Sequence, residues 1–175
     1  MWFQMRKVDL GFLEFAARAS VVSCTLRAAR HDVWAAVVDP VTWPHWWPGV
    51  TAASYRGLPP YGVGTFRQAT VSGQRYEEYI VAWDEGRRWA YYIDRATVPI
   101  ATAQLECTDF EDDGHGTRVH WTVAHDRRLL LWLVGPLFPR IMQSLFQRAM
   151  ANLDAYLAGQ RTTPNHYSEP EGHAT

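Results

Sequence analysis

The sequence contains a single lysine, Lys7, and only two cysteines, Cys24 and Cys107, in 175 residues. The cysteines lie far apart and match neither a metal-ligand spacing nor a disulfide framework, so both are expected as buried free thiols in a reducing, cytoplasmic compartment. No run reaches the roughly 18 apolar residues that a membrane-spanning helix requires. The segment Met1–Ser20 has no continuous apolar stretch, because Arg6, Lys7, Asp9 and Glu14 interrupt it, and no secretory leader is expected. The 17 basic and 18 acidic residues are mixed along the chain and form no basic run or stripe, so nucleic acid is not an expected partner. There is no Gly-x-Ser-x-Gly elbow and no Cys-His arrangement for nucleophilic catalysis. Gly62-Val63-Gly64 precedes a strand rather than a helix and lacks the spacing of a phosphate loop. His120 and His125 differ by an odd number of residues, so on a strand they point to opposite faces and form no metal pair. No metal and no cofactor is expected. Basic residues that are nearly all Arg, with abundant Ala, Val and Gly, indicate the codon usage of a GC-rich bacterial genome.

Aromatic residues are what the chain has in quantity. Nine Trp, eight Tyr and seven Phe make up 14% of it, which points either to a large packed core or to a cavity lined by Trp and Tyr. The length suits one domain, which can bury about 70% of its unfolded surface without staples. The expected division is a lead-in over 1–18, one domain over 19–158 and a disordered tail over 159–175.

Gly64–Ala82, GTFRQATVSGQRYEEYIVA, reads as a β-hairpin turning at Ser72-Gly73. That turn pairs Val71 with Gln74, Ala69 with Tyr76, Arg67 with Glu78 and Thr65 with Ile80. Side chains alternate between faces. The smaller, more apolar face carries those residues and Ala82, and is taken as the inward one. It places an opposed Arg67–Glu78 pair in an apolar and aromatic lining, as in pockets that hold organic ligands. The same pair is also compatible with a structural buried contact or an exposed surface pair.

The remaining elements follow from periodicity and turn residues. Phe12, Leu13 and Phe15 are placed to pack on the domain as part of the lead-in. A first strand spans Ser20–Leu26, with Val22, Cys24 and Leu26 inward. A short helix over Arg30–Val38 has Asp32 in its first turn and ends at Asp39-Pro40. Trp43, Trp46 and Trp47 have helical spacing and predict a second short helix, with His45 on its surface. Strands follow at Val50–Arg56, Arg88–Arg95, Pro99–Phe110 and Thr117–Ala124. Their expected inward residues are Trp89, Tyr91 and Ile93; Ala101, Ala103, Leu105 and Cys107; and Val119, Trp121 and Val123. Leu129–Phe138 is almost wholly apolar and reads as a buried lead-in, a lid, or a dimer or membrane-facing patch. A long amphipathic helix covers Leu137–Leu157, with Phe138, Met142, Leu145, Ala149, Leu153 and Tyr156 on one stripe, and Gly159 is expected to end it. This order gives an α+β fold. A curved antiparallel sheet of about six to seven strands grips one long C-terminal helix, with two short helices after the first strand.

From Ser20 to Leu157 the chain resembles the START-like, helix-grip superfamily in its polyketide cyclase/dehydrase branch. The segments that carry the resemblance are VWAAVVDPVTWPHWWPGV, GVGTFR, YEEYIVAWDEGRRWAYYI, GHGTRVHW and the final helix, in that order. The resemblance implies binding of lipids, sterols, polyketides, plant hormones or other hydrophobic molecules, by carriers, sensors, cyclases or dehydratases. Arg67 in GVGTFR and Glu78 in YEEY match positions that recur in the branch.

Three functional readings stay open on the sequence. In the first, a hydrophobic or amphipathic small molecule binds between sheet and helix. Arg67 grips its oxygen, since a guanidinium suits two-point contacts, while Glu78 holds Arg67 or accepts from a ligand hydroxyl. Tyr76, Trp89, Tyr91, Trp121, Met142 and Leu145 form the expected lining, and Trp46 and Trp47 line the cavity or cap its mouth. In the second, Glu78 is the base of a cyclase or dehydratase, with Arg67 and Tyr76 or Tyr91 as donors to an enolate; the adjacent Arg67 is expected to keep Glu78 ionised and weakly basic. In the third, the interior is filled and the chain is an interaction module, with the Leu129–Phe138 run as a dimer patch.

Overall fold

The computed structural model describes residues 1–127 and 137–162. Its centre is the expected hairpin: β4 (Phe66–Val71) and β5 (Gln74–Asp84) pair in the register Val71 to Gln74, Ala69 to Tyr76 and Arg67 to Glu78. The turn residues Ser72 and Gly73 both have positive φ, 50° and 75°, which suits a two-residue turn whose twist matches that of the strands. The Ile80 amide donates to the Thr65 carbonyl at 3.0 Å and so extends the pairing by one step.

The chain enters through β1 (Phe3–Gln4), α1 (Phe12–Phe15) and β2 (Arg18–Leu26). Next come α2 (Arg30–Val38), a 3-10 turn (Pro40–Thr42), α3 (Trp43–Trp46) and β3 (Val50–Tyr55). After the hairpin follow β6 (Arg88–Ala96), β7 (Ala101–Asp112), β8 (Thr117–Arg127) and the long α4 (Phe138–Thr162). The strands form one antiparallel, 8-stranded sheet in the order β2-β8-β7-β6-β5-β4-β3, with β1 added on β6. The inner face packs on α4 through Phe146, Ala149, Met150, Leu153 and Leu157, and on α2 and α3 through Val33, Trp34, Val37, Trp43 and Trp46. No helix of the described residues is long and apolar enough to cross a membrane.

Four details depart from the sequence reading. First, β7 is inverted. Ala103, Leu105 and Cys107 lie in a second cluster on the outer face, under Phe12, and only Ala101 keeps to the inner one, beyond a register shift between Ala101 and Ala103. The N-terminal segment covers this part of the outer face, so β7 is apolar on the side away from α4, and its alternation cannot say which side is inward. Second, a shift between Ile80 and Ala82 sends Ala82 to the outer cluster and brings Trp83 against the inner one. A bulge inserts a residue and so exchanges the faces beyond it. Third, α4 runs through Gly159 to Thr162, because this glycine does not take the left-handed conformation that would end the helix. Fourth, the buried stripe of α4 includes Phe146 rather than Leu145, which is half-buried and outside the core cluster. The expected tail beyond Thr162 and the run Leu129–Pro136 lie outside the described residues.

The lead-in is part of the sheet. β6 and β7 pair only from Arg88 to Tyr92, and beyond that point they separate. The N-terminal strand fills the gap: Phe3 pairs with Ala96, the Met5 amide donates to the Asp94 carbonyl at 2.8 Å, and the Arg6 amide donates to the Thr102 carbonyl at 2.8 Å. Met5 reaches the inner core and Phe12 caps the outer one, whereas Phe15 is exposed.

Burial pushes the Cys107 thiol up to about 12, with Asp109 adding to the effect. Native protein at pH 8 is therefore expected to leave Cys107 unlabelled by a thiol reagent. Phe12→Ala is expected to cost about 3 kcal/mol and to raise the labelling rate of Cys107. Unchanged labelling in that variant would show that Phe12 does not seal the outer cluster. At Gly116, an added Cβ would lie 2.0 Å from the Leu26 carbonyl oxygen. Gly116→Ala is expected to destabilise by about 1–3 kcal/mol, read as a lower denaturant midpoint.

Candidate functional site

Arg67 projects from β4 into the inner face and is 1% exposed. Its Nε donates to Glu78 Oε2 at 2.5 Å, across the hairpin. Three rings enclose the guanidinium carbon, with centroids at 4.3 Å for Trp43, 4.7 Å for Trp89 and 4.2 Å for Tyr91. Each cation–π contact contributes about 0.5–2 kcal/mol when desolvated. The terminal nitrogens Nη1 and Nη2 are buried and have no hydrogen-bond partner among the described residues.

Local structure explains the cage. The Asp39 carboxylate accepts from the Val41 amide and starts the 3-10 turn. Pro40 and Pro44 stand at the entry of the turn and of α3, where a missing N–H costs little. Trp43 is then fixed by its indole N–H, which donates to the Val37 carbonyl at 2.9 Å. Tyr91 and Trp89 alternate onto the inner face of β6, and Tyr91 is opposite Ile80. Tyr55, on β3 opposite Arg67, donates from its hydroxyl to the Val38 carbonyl at 2.7 Å and ties the sheet edge to α2.

A second carboxylate lies on the other side of Tyr91. Glu106 of β7 is buried; its Oε2 accepts from the Tyr91 hydroxyl at 2.6 Å and from Trp121 Nε1 at 3.1 Å, and its Oε1 accepts from Gln104 Nε2 at 2.8 Å. Tyr91 thus stacks on the cation with its ring and binds the anion with its hydroxyl.

Burial dominates the electrostatics. It pushes the Glu78 carboxyl above the usual carboxylate range, although the charge and hydrogen bond of Arg67 pull the other way. From the sequence alone Arg67 is expected to win; full desolvation of Glu78 reverses the direction. Burial also works against the Arg67 charge, but Glu78, Tyr91 and Tyr55 outweigh it, and the guanidinium holds its proton more tightly than in water. Tyr91 is raised by burial and then by Glu106, and Tyr76 by burial and then by Glu106 and Glu78, so both remain protonated donors at neutral pH.

The expected site residues divide into groups. Arg67, Glu78, Trp89, Tyr91 and Trp121 come together, buried, and Tyr76 is half-buried on the same face. Trp46 is 1% exposed, with its indole N–H on Thr42 Oγ1 at 2.9 Å, so it fills the interior instead of capping a mouth. Trp47 is half-buried, stacks on Trp43 at 5.2 Å and meets Trp121 edge-on at 5.3 Å. Met142 packs half-buried against the core, while Phe146 and Met150 occupy the place expected for Leu145. His45 is exposed and stacks on Tyr156. Between these indoles, Tyr91, Thr108 and α4 lies a void of about 10 Å3, room for roughly one water. Sequence reasoning missed Glu106, Tyr55 and the role of Trp43. The alternation of Gln104, Glu106 and Thr108 was the available signal for Glu106. Among the described residues, no group of three or more His, Cys, Asp and Glu is placed to hold a metal ion.

A curved antiparallel sheet closed on one long C-terminal helix, with two short helices inserted after its first full strand, is the START-like, helix-grip fold. Residues 18–158 match the family described as polyketide cyclase / dehydrase and lipid transport, and the chain belongs to that family. It is similar to an uncharacterized protein of Mycobacterium tuberculosis, 23% identical over 161 residues that cover 88% of this chain and 93% of the relative. The crystal structure of Ara h 8.0201 superposes with a TM-score of 0.64 at 18% identity, covering 81% of this chain and 98% of that one. The di-domain ARO/CYC StfQ from the steffimycin biosynthetic pathway gives 0.67 at 12% identity, covering 83% of this chain and 52% of that one. A solution structure from Thermobifida fusca gives 0.64 at 23% identity, covering 86% and 99%. These likenesses concern the fold.

Removing one partner of a buried ion pair leaves an uncompensated charge, at a cost of about 3–5 kcal/mol. Glu78→Leu alone is expected to lose that much in urea unfolding. Arg67→Met with Glu78→Leu is expected to regain most of it, which would mark the pair as retained for something other than stability. A double variant as unstable as the single one would make the pair a structural element.

Proposed function

We propose that this protein binds a hydrophobic or amphipathic small molecule, lipid-like or polyketide-like, between the sheet and α4, with Arg67 as its polar anchor and Glu78 holding the anchor in place. The observation that carries this reading is the pair of buried Nη1 and Nη2 groups of Arg67, which have no partner among the described residues. A buried donor without a partner costs about 1–3 kcal/mol. A ligand oxygen accepting from both nitrogens removes that cost, and the aromatic cage supplies apolar contact around it. Entry displaces side chains, since the void is small; Trp47, half-buried, is the one at its margin that can move. The family's description includes lipid transport, which agrees with this reading.

A second reading is favoured by one observation, the upward shift of Glu78. A carboxylate of raised proton affinity beside a fixed cation suits proton removal next to a carbonyl, the step that a cyclase or dehydratase needs.

Native mass spectrometry of gently purified protein, followed by extraction and mass analysis, tests both. A discrete lipid- or polyketide-sized mass is expected on the wild type and is expected to be lost in Arg67→Ala. Retention of the same mass by Arg67→Ala removes Arg67 from the site. Glu78→Gln is expected to keep the ligand; if it also abolishes turnover of that ligand, the enzymatic reading stands. A wild type that is wholly free of ligand, and stays so when offered candidate lipids, favours an interaction module with a filled core.

A further inference from the structure

The polar groups of the inner face do not balance in charge. Among the described residues, Arg67 is the fixed cation of the cage, and two carboxylates face the same interior, Glu78 from β5 and Glu106 from β7. Glu78 already compensates Arg67. Glu106 accepts from three neutral donors, Tyr91, Trp121 and Gln104, and makes no ion pair among the described residues. The two carboxylates sense one another. The other titratable groups described on this interior are Cys24 on β2, Tyr55 on β3, Tyr76 on β5, Tyr91 on β6, Tyr156 on α4 and His125, buried on β8 opposite Gln104. Asp39, exposed at the end of α2, acts on Tyr55 from outside. α3 and α4 present Trp43, Phe146 and Met150, which carry no charge. Among the described side chains of this interior there is thus one carboxylate more than there are guanidiniums.

Resting on the binding reading above, we propose that the site selects ligands whose oxygen-bearing head is uncharged, such as a ketone, ester or amide carbonyl, and admits a carboxylate only together with a proton. A carbonyl oxygen accepts from Nη1 and Nη2 and leaves the charge unchanged. A carboxylate brings a second excess negative charge into a desolvated space, where like charges at short range are costly. The balance is restored when a solvent proton goes to Glu78, which frees Arg67 to serve the ligand carboxylate. No covalent bond forms or breaks: ligand carboxylate, one proton and the site give the complex. Parallel ring pairs, Trp43 on Trp47 at 12° and Trp121 on Phe146 at 19°, suit a flat apolar body behind the head.

The test is isothermal titration calorimetry with a matched pair, 2-acetonaphthone and 2-naphthoate, from pH 6.5 to 8.5 in phosphate and in Tris. The ketone is expected to bind with an affinity independent of pH and no buffer-dependent heat. Naphthoate is expected to weaken about tenfold per pH unit and to take up close to one proton. Naphthoate binding that is flat with pH and free of buffer dependence overturns the proposal. Glu106→Gln is expected to strengthen naphthoate at pH 8 about tenfold relative to the ketone, by removing one charge. An equal effect on both probes would reduce Glu106 to a packing role and also overturns the proposal. Arg67→Ala separates the two levels. Unchanged binding of both probes in that variant sinks the anchoring role itself, whereas Arg67-dependent but pH-independent naphthoate binding sinks only the charge selection. A wild type that binds neither probe overturns both.

Discussion

The guanidinium of Arg67 is buried away from water, and much of the interior serves to compensate it. A charge in such surroundings needs a partner, donors and acceptors in reach, and polarisable neighbours. Glu78 supplies the partner from the next strand, and Trp43, Trp89 and Tyr91 supply the faces. Each of these is itself held. The Val37 carbonyl fixes Trp43, Glu106 fixes Tyr91, and Trp121 and Gln104 fix Glu106. The network runs from α2 through α3 and across β4 to β8. A displacement at any of these elements reaches the cation through a short chain of contacts.

Against this polar thread stands a dense aromatic packing. Trp43, Trp46, Trp47, Trp121 and Phe146 touch in series, which joins α3 to the sheet and to α4. α4 is also tied from the far side, where Asp154 accepts from the Arg27 amide at 2.9 Å and from its Nε at 2.8 Å, and Asn152 donates to the Trp46 carbonyl at 3.1 Å. The helix is thus anchored along its second half, beside the void. On the opposite side of the sheet, the N-terminal segment closes the gap between β6 and β7 and seals Leu105 and Cys107. The binding proposed for the interior would work against these attachments, and its affinity would depend on how readily the half-buried Trp47 gives way.

Legibility in the sequence varied with the number of covered faces. The hairpin was readable to the residue, because its alternation is strong and Ser72-Gly73 leaves few turn choices; the opposition of Arg67 and Glu78 followed from that alone. The same alternation misled at β7. Ala103, Leu105 and Cys107 look like an inward face, yet they are apolar because Phe12, Leu10 and Leu13 cover them from outside. Glu106, placed outward by that reading, proved to be an inner carboxylate. Bulges had no sequence mark either, so the switch from Ile80 inward to Trp83 inward could not be read. On α4, the choice between Leu145 and Phe146 turns on one residue, or about 100° of rotation, which a broad apolar stripe does not fix.

The sequence by itself determined the order of elements, the register of the central hairpin and the aromatic wealth of the interior, since these depend on local periodicity and turn chemistry. Tertiary structure decided the rest. It decided which face of β7 meets α4, that Arg67 lies inside a three-ring cage with two nitrogens left over, and that burial outweighs the pull of Arg67 on the Glu78 proton. These outcomes depend on which segments exclude water from which faces, and that is a property of the packed assembly rather than of any one stretch of chain.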